Sequence, residues 1–448
     1  MTTVFPELLY FLIMLGGFVL LAAVRVPISV SLMLAAIAGF IFAGEFWPLR
    51  HLIEGSFVFL DAMLVIATAM IFMESIKESG FLTYLANTIY NKFKNYRLML
   101  LVLMGFFIMF AGMITGSSTA AVLTTGAIAY PVLRKIGLDK TRAGAIIAMS
   151  GIFGMLAPPI NLPVMIIGQG VDMPYIGFYK PLSLVSFPLA TITVLLLGRG
   201  TKPNVSIKDD ANAMINNRKA LQLCLPVLLL LFLMILDNFI SLGLPLIFLI
   251  SSVLAALLSG KSFLSISKKA LGESLGILSI LVGVGMFLQA MTFNGVRGFI
   301  VNSLSSLPSS LRLLGVAVGV PLFGAVSSFG SASVLGIPFF LTFLGRNDIV
   351  VASAISLLAG LGDMVPPTAL AGIFAAHVVE EKNYFRIWLT SLPSFFITMI
   401  VGAVVILHAK TVGKFVDSQW FYPCFLCGYA LFFLILFVLD KRAAERGF

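Results

Sequence analysis

Two short runs of small hydroxyl residues are the places where this chain could do chemistry. Residues 116–119 read Gly-Ser-Ser-Thr and residues 330–333 read Gly-Ser-Ala-Ser. A proline pair follows each run, Pro158-Pro159 after the first and Pro366-Pro367 after the second. All four features sit in strongly apolar sequence. Serine and threonine hydroxyls, together with carbonyls freed at a helix break, are hard oxygen ligands suited to Na⁺. The N–H groups that open a half-helix are unpaired and carry partial positive charge, which suits a carboxylate. On this chemistry one Na⁺ site draws on Gly116, Ser117, Ser150 and Gly154. A second draws on Gly330, Ser331, Gly360, Gly362 and Asp363. Substrate is expected against Ser118, Thr119, Pro158, Pro159 and Asn161 from one side, and against Ser333, Pro366, Pro367 and Thr368 from the other. Gly151, Ser327 and Ser328 adjoin these sets.

The elements that position such residues must lie in a bilayer. The chain is 60% hydrophobic and 11% charged, with a mean hydropathy of +1.07. Those values exclude an ordinary soluble domain and a disordered chain. A span needs roughly 20 apolar residues, and many segments supply them. The first, 5–24, lacks a basic leader and a cleavage site, so it is read as a retained helix and not a signal peptide. The net charge of +10 comes from residues in short loops and reads as a topology signal, not a nucleic-acid surface. Cys224, Cys424 and Cys427 lie in apolar runs and read as packing, despite one CxxC spacing. No HExxH or GxSxG motif is present and the chain has 3 His, so no enzymatic activity is expected.

The doubled motif belongs to a longer repeat. Pro27 matches Pro245; Phe72, Gly80 and Asn87 match Phe287, Gly295 and Asn302; Gly116-Ser117 matches Gly330-Ser331; and Ser186, Pro188 and Thr193 match Ser391, Pro393 and Thr398. The offset shrinks steadily along the chain, as shorter loops in the second half would produce. The expected organisation is a first inverted repeat over 1–199, a polar cytoplasmic linker over 200–219, a second repeat over 220–409 and an extra span in 410–448.

The fold class is an all-α polytopic membrane protein of the elevator type, with about 11 spans and 2 re-entrant helical hairpins. Within the first repeat, spans are expected at 5–24, 28–44, 56–77 and 181–199. An amphipathic interfacial helix covers 81–93, a hairpin 98–136 and a broken helix 142–170. The second repeat has spans at 220–238, 240–259, 274–293 and 386–409, an interfacial helix at 296–307, a hairpin at 311–345 and a broken helix at 349–377. A last span covers 419–439. Proline lacks a donor and clashes with the preceding turn, so each pair breaks its helix. Irregular backbone at membrane depth is tolerated only when buried in protein or lining a cavity. Five crossings per repeat invert the second relative to the first. With this alternation most of the 29 Lys and Arg fall on one side, which is therefore cytoplasmic. The amino terminus is then outside, the carboxyl terminus inside, and the hairpins enter from opposite faces of a bacterial inner membrane.

The order of a Gly-Ser hairpin motif, a basic loop and a Pro-Pro break, given twice, resembles the large permease subunit of tripartite ATP-independent periplasmic (TRAP) transporters, within the ion transporter superfamily. The resemblance covers nearly the whole chain and is clearest over 26–44, 56–80, 116–131 and 143–168. It implies Na⁺-coupled uptake of a small carboxylate by an elevator mechanism, a small membrane subunit and an extracytoplasmic substrate-binding protein. It implies no cofactor beyond Na⁺ as the coupling ion. By that resemblance Ser117 and Gly154 fall in one Na⁺ site, and Ser331 and Gly362 in the other. Three positions depart from the family pattern: Ala121 replaces an Asp, Ile160-Asn161 follow the first proline pair, and Asp363 stands where the family is usually apolar.

Other readings stay open at this stage. A stand-alone Na⁺- or H⁺-coupled anion carrier would share these features, and a channel is a further class. Small-residue clusters also serve plain helix packing. An acid at membrane depth is a functional candidate by default, and Asp363 is a cation ligand, a proton carrier or a cap on the break. Asp61, Glu74 and His377 read as interfacial.

Overall fold

The computed structural model describes residues 6–199 and 217–445. Most of the expected linker, residues 200–216, lies outside the described residues. The chain is all-helical. The first half runs α1 (Pro6–Ala23), α2 (Ile28–Phe42), α3 (Leu49–Ser56), α4 (Leu60–Glu78), α5 (Phe81–Phe93), α6 (Arg97–Thr115), α7 (118–135), α8 (Lys140–Leu156), α9 (Leu162–Gln169) and α10 (Tyr179–Leu197). The second runs α11 (Asn217–Ile240), α12 (Leu244–Ser259), α13 (Phe263–Phe293), α14 (Val296–Ser305), α15 (Ser309–Gly324), α16 (Ser328–Thr342), α17 (Asp348–Gly360), α18 (Leu370–Val378) and α19 (Tyr384–Leu407). Then come α20 (Ala409–Asp417) and α21 (Phe421–Glu445).

Among the described residues, 7 helices are long and apolar enough to cross a membrane, or up to 8 if α3 and α4, bent by 46°, form one span. Two segments expected as spans are shorter: α2 has 15 residues and α12 has 16. At 1.5 Å per residue neither covers a hydrocarbon core of about 30 Å alone. Helix α13 begins well before the expected 274, at Phe263. Its first turns carry Lys268, Lys269 and Glu273, which apolar counting discards although they are good helix formers. The amphipathic α3 and α20 were not anticipated. Both are too short and polar to stand out in a window sized for a span.

Helices α1 to α4 and α11 to α13 form one group of packed helices, and α6 to α10 with α15 to α19 form a second. Helices α5 and α14 run between these groups, each entered through a left-handed glycine, Gly80 and Gly295. An ion-pair network ties α4 to the start of α13. Glu74, 3% exposed, meets Lys77 at 2.9 Å and Lys269 at 2.5 Å. Glu78 also meets Lys269, at 2.9 Å. The last helix is fastened by Asp440, whose carboxylate accepts from the N–H groups of Leu98 and Met99 at the start of α6, at 3.0 and 3.1 Å. Two free donors of that helix end are thereby satisfied.

Candidate substrate and ion site

Helices α6 and α7 are the arms of a hairpin. They run side by side, and the Thr125 hydroxyl donates to the Ile108 carbonyl across them at 2.9 Å. The turn is made by Gly116 at φ 62°, a left-handed conformation that favours glycine. A Cβ there would also stand 2.6 Å from Leu162 Cγ, so the tip closes directly onto the start of α9. Ser117 then caps α7: its Oγ accepts from the Ala120 N–H at 3.2 Å and lies 2.9 Å from Thr119 Oγ1. Serine is favoured here because its short side chain reaches back to an N–H left free by the helix start. One π turn, Val122–Gly126, interrupts the arm.

The second hairpin repeats this design in a different register from the one expected. Its capping serine is Ser327, which accepts from the Gly330 N–H at 3.1 Å, and its π turn is Ala332–Gly336. Ser117 therefore corresponds to Ser327, and Ser118 to Ser328. The sequence match of Gly116-Ser117 to Gly330-Ser331 is corrected on this point. Gly330 and Ser331 lie inside the helix. The Ser331 hydroxyl donates to the Val320 carbonyl at 2.5 Å and joins the two arms. The match misled because the tip itself differs in length: Gly112 and Gly324 each face a break glycine, yet the second tip reaches its capping serine sooner.

Both breaks lie against their own hairpins. Helix α8 stops at Leu156 and α9 resumes at Leu162. Asn161 caps α9, its Oδ1 accepting from the Val164 N–H at 2.9 Å. Its Nδ2 donates to the Leu156 carbonyl at 2.9 Å and across to Ser356 Oγ of α17 at 3.1 Å. The Tyr175 hydroxyl donates to the Pro159 carbonyl at 3.0 Å. In the second break α17 tightens into a 3₁₀ turn, Leu361–Met364, before Pro366-Pro367. The Thr368 hydroxyl donates to the Ala325 carbonyl of the second tip. Glycines set how closely the pieces approach. A Cβ on Gly154 would lie 2.4 Å from the Met109 carbonyl oxygen, and one on Gly362 would lie 2.4 Å from Gly324 Cα.

The two units meet at Asp363. The Ser118 hydroxyl of the first hairpin donates to the Asp363 carboxylate of the second break. Ser328 of the second hairpin lies beside the same carboxylate. Asp363 is 5% exposed, and no Lys, Arg or His forms an ion pair with it among the described residues. The site thus gathers Ser117, Ser118, Thr119, Ser327, Ser328, Asp363 and Thr368. Pro159, Pro366, Thr368 and Thr119 are half-buried beside it, and Pro367 is exposed. Other candidates stand apart. The Ser150 hydroxyl is buried without a hydrogen-bond partner and faces Gly105, about 16 Å along α6 from the tip. The Ser333 hydroxyl returns to the Gly330 carbonyl of its own helix at 3.1 Å. Ser356 and Tyr175 gave no signal in the sequence, being a serine in a buried helix and a tyrosine in a loop.

A family model described as the DctM component of the tripartite ATP-independent periplasmic transporter matches residues 15–411. The chain belongs to this family. Helix α21 lies beyond the matched stretch. A curated relative, the isethionate TRAP transporter permease protein DctMQ of Oleidesulfovibrio alaskensis, is 30% identical over 161 residues, 35% of this chain. The match spans only 25% of that relative's length. Two solved structures share the fold. The YdaH transporter of Alcanivorax borkumensis, described as having an unusual topology, superposes with a TM-score of 0.58 at 17% identity, over 90% of this chain and 97% of its own. MtrF of Neisseria gonorrhoeae, described as illuminating a class of antimetabolite efflux pumps, superposes with a TM-score of 0.58 at 10% identity, over 90% and 95%. The chain is thus a multi-pass membrane member of a transporter family, with no enzymatic role implied by that membership.

Proposed function

We propose that this chain is the large permease subunit of a TRAP-type system and imports a small organic acid, coupled to Na⁺. The observation that carries this reading is the convergence of two capped hairpin tips and two helix breaks on one buried point, where the Ser118 hydroxyl of one unit donates to Asp363 of the other. Helix starts and hydroxyls with no basic side chain suit a carboxylate or similar acid held by N–H groups. Na⁺ would be held at each unit by hydroxyls and freed carbonyls, around Ser117, Gly116 and Gly154 in the first and around Ser327, Gly360 and Gly362 in the second. In this reading the chain crosses eleven times and dips in twice, counting the short α2 and α12 as tilted or locally thinned spans. The amino terminus is outside and the carboxyl terminus in the cytoplasm of a bacterial inner membrane. The body of hairpins and breaks slides against the body of α1 to α4 and α11 to α13, exposing the site to each face in turn. The family membership and the match to an isethionate permease support a small membrane subunit and an extracytoplasmic binding protein as partners.

The test is uptake of radiolabelled organic acids into proteoliposomes, with and without an inward Na⁺ gradient and with the candidate binding protein. Uptake is expected to require the gradient and to saturate. Uptake that is linear in substrate concentration, or indifferent to Na⁺, overturns the reading.

A further inference from the structure

Among the described residues, three acids are almost fully buried, and two have evident partners. Glu74, 3% exposed, is matched by Lys77 and Lys269. Asp440, 5% exposed, closes two helix N–H groups. Asp363, equally buried, has the Ser118 hydroxyl as its hydrogen-bond partner, with Ser328 beside it. A buried carboxylate without a counter-charge is expensive to keep. The tip residues around it carry no base, and its partly open neighbours, Thr119 and Thr368, are neutral. A simple organic anion entering beside it would add like charge at close range. An acid that also carries an ammonium group would add no net charge and would give Asp363 the partner it lacks, through a charge-assisted hydrogen bond.

We propose that Asp363 is the counter-charge for a protonated amine on the transported acid, which makes the ligand an amino carboxylate or amino sulfonate. The proposal rests on the anion reading above and narrows it: the acid group lies against the hairpin starts, and the amine against Asp363. Na⁺ is the other cation that could stand there, and the test separates the two.

The experiment measures thermal midpoints of the full-length chain in detergent, with and without Na⁺, against paired probes that differ only in hydroxyl or ammonium: isethionate and taurine, glycolate and glycine, lactate and alanine. For at least one pair the amino member is expected to half-saturate at a concentration tenfold lower or better. Asp363→Asn should bring that ratio to about one while the midpoint shift from Na⁺ alone persists. The comparison of amino and hydroxy members in the wild-type chain needs no variant, so a folding failure of Asp363→Asn still leaves the proposal open to refutation. A wild-type chain that favours the hydroxy acids, or does not discriminate, overturns the proposal and leaves the anion reading standing. Loss of the Na⁺ shift in Asp363→Asn with the amine preference intact overturns it as well and makes Asp363 an ion ligand. If no probe of either series stabilises the wild type, the anion reading itself fails and takes the proposal with it.

Discussion

The two hairpin-and-break units share a backbone plan and differ in where they place polar side chains. In the first, Asn161 caps the resumed helix and reaches across to Ser356, so the amide serves the architecture. In the second, the equivalent position is Ala369, with no side-chain cap and φ 36°. The second break instead presents Asp363, at the position of the first unit's Met155, to both tips. Geometry is duplicated because close approach of tip and break depends on small residues and capping serines, which both units retain. Chemistry need not be duplicated. One break anchors the pair of units and the other faces the point where they meet.

The strongest challenge to this comparison is to disturb the shared geometry. Gly154→Val and Gly362→Val each drive a side chain into backbone already in contact, which cannot yield as a flexible side chain could. Both should cost about 3 kcal/mol or more and remove the monodisperse peak in fluorescence-detected size-exclusion chromatography. Tolerance of only one would break the equivalence of the units.

Asn161→Ala probes the anchoring break. It removes a cap and two further bonds at a buried position, and should destabilise by about 2–3 kcal/mol, read as a lowered thermal midpoint. The Ser356→Ala variant should recover part of that loss in combination with Asn161→Ala, because the two share one bond.

The register of the tips is tested by their serines. Ser117→Ala and Ser327→Ala should each cost about 1 kcal/mol as lost caps, and Ser117→Ala should also raise the Na⁺ concentration that half-saturates uptake. Should Ser331→Ala mimic Ser117→Ala in both readouts while Ser327→Ala is silent, the corrected register is wrong.

The smallest effect is expected at Ala369. Its left-handed backbone carries strain that glycine does not, so Ala369→Gly should raise stability by up to ~1 kcal/mol, seen as a slightly higher thermal midpoint. A glycine at Asn161, where φ is −124°, should be destabilising.

Much of this was legible in the residues, and the failures have physical causes. Long apolar runs announce membrane helices, and the proline pairs mark where α8 and α17 cannot continue, since proline lacks the N–H that a helix requires. The doubled motif marked the first tip and fell just inside the helix that follows the second. The serine that caps the second tip was misassigned because identity of letters, Gly-Ser against Gly-Ser, outweighed a change in turn length that no local pattern reports. Charged helical extensions such as the start of α13 and short amphipathic pieces such as α20 were missed because hydropathy measures what lipid tolerates, not where hydrogen bonding stops.

The sequence by itself determined the solvent, the helical class and the family. Each follows from composition and from residues whose backbone preferences are local. Only the tertiary structure decided which side chains meet. Ser118 and Asp363 are far apart in the chain, and nothing in the spacing of either predicts their hydrogen bond. The same holds for Asn161 with Ser356 and for Asp440 with the start of α6. These pairings arise from the packing of whole helices, whose approach is set by glycine contacts distributed over many segments. The lone acid beneath the tips, without a basic partner, is a property of that assembly.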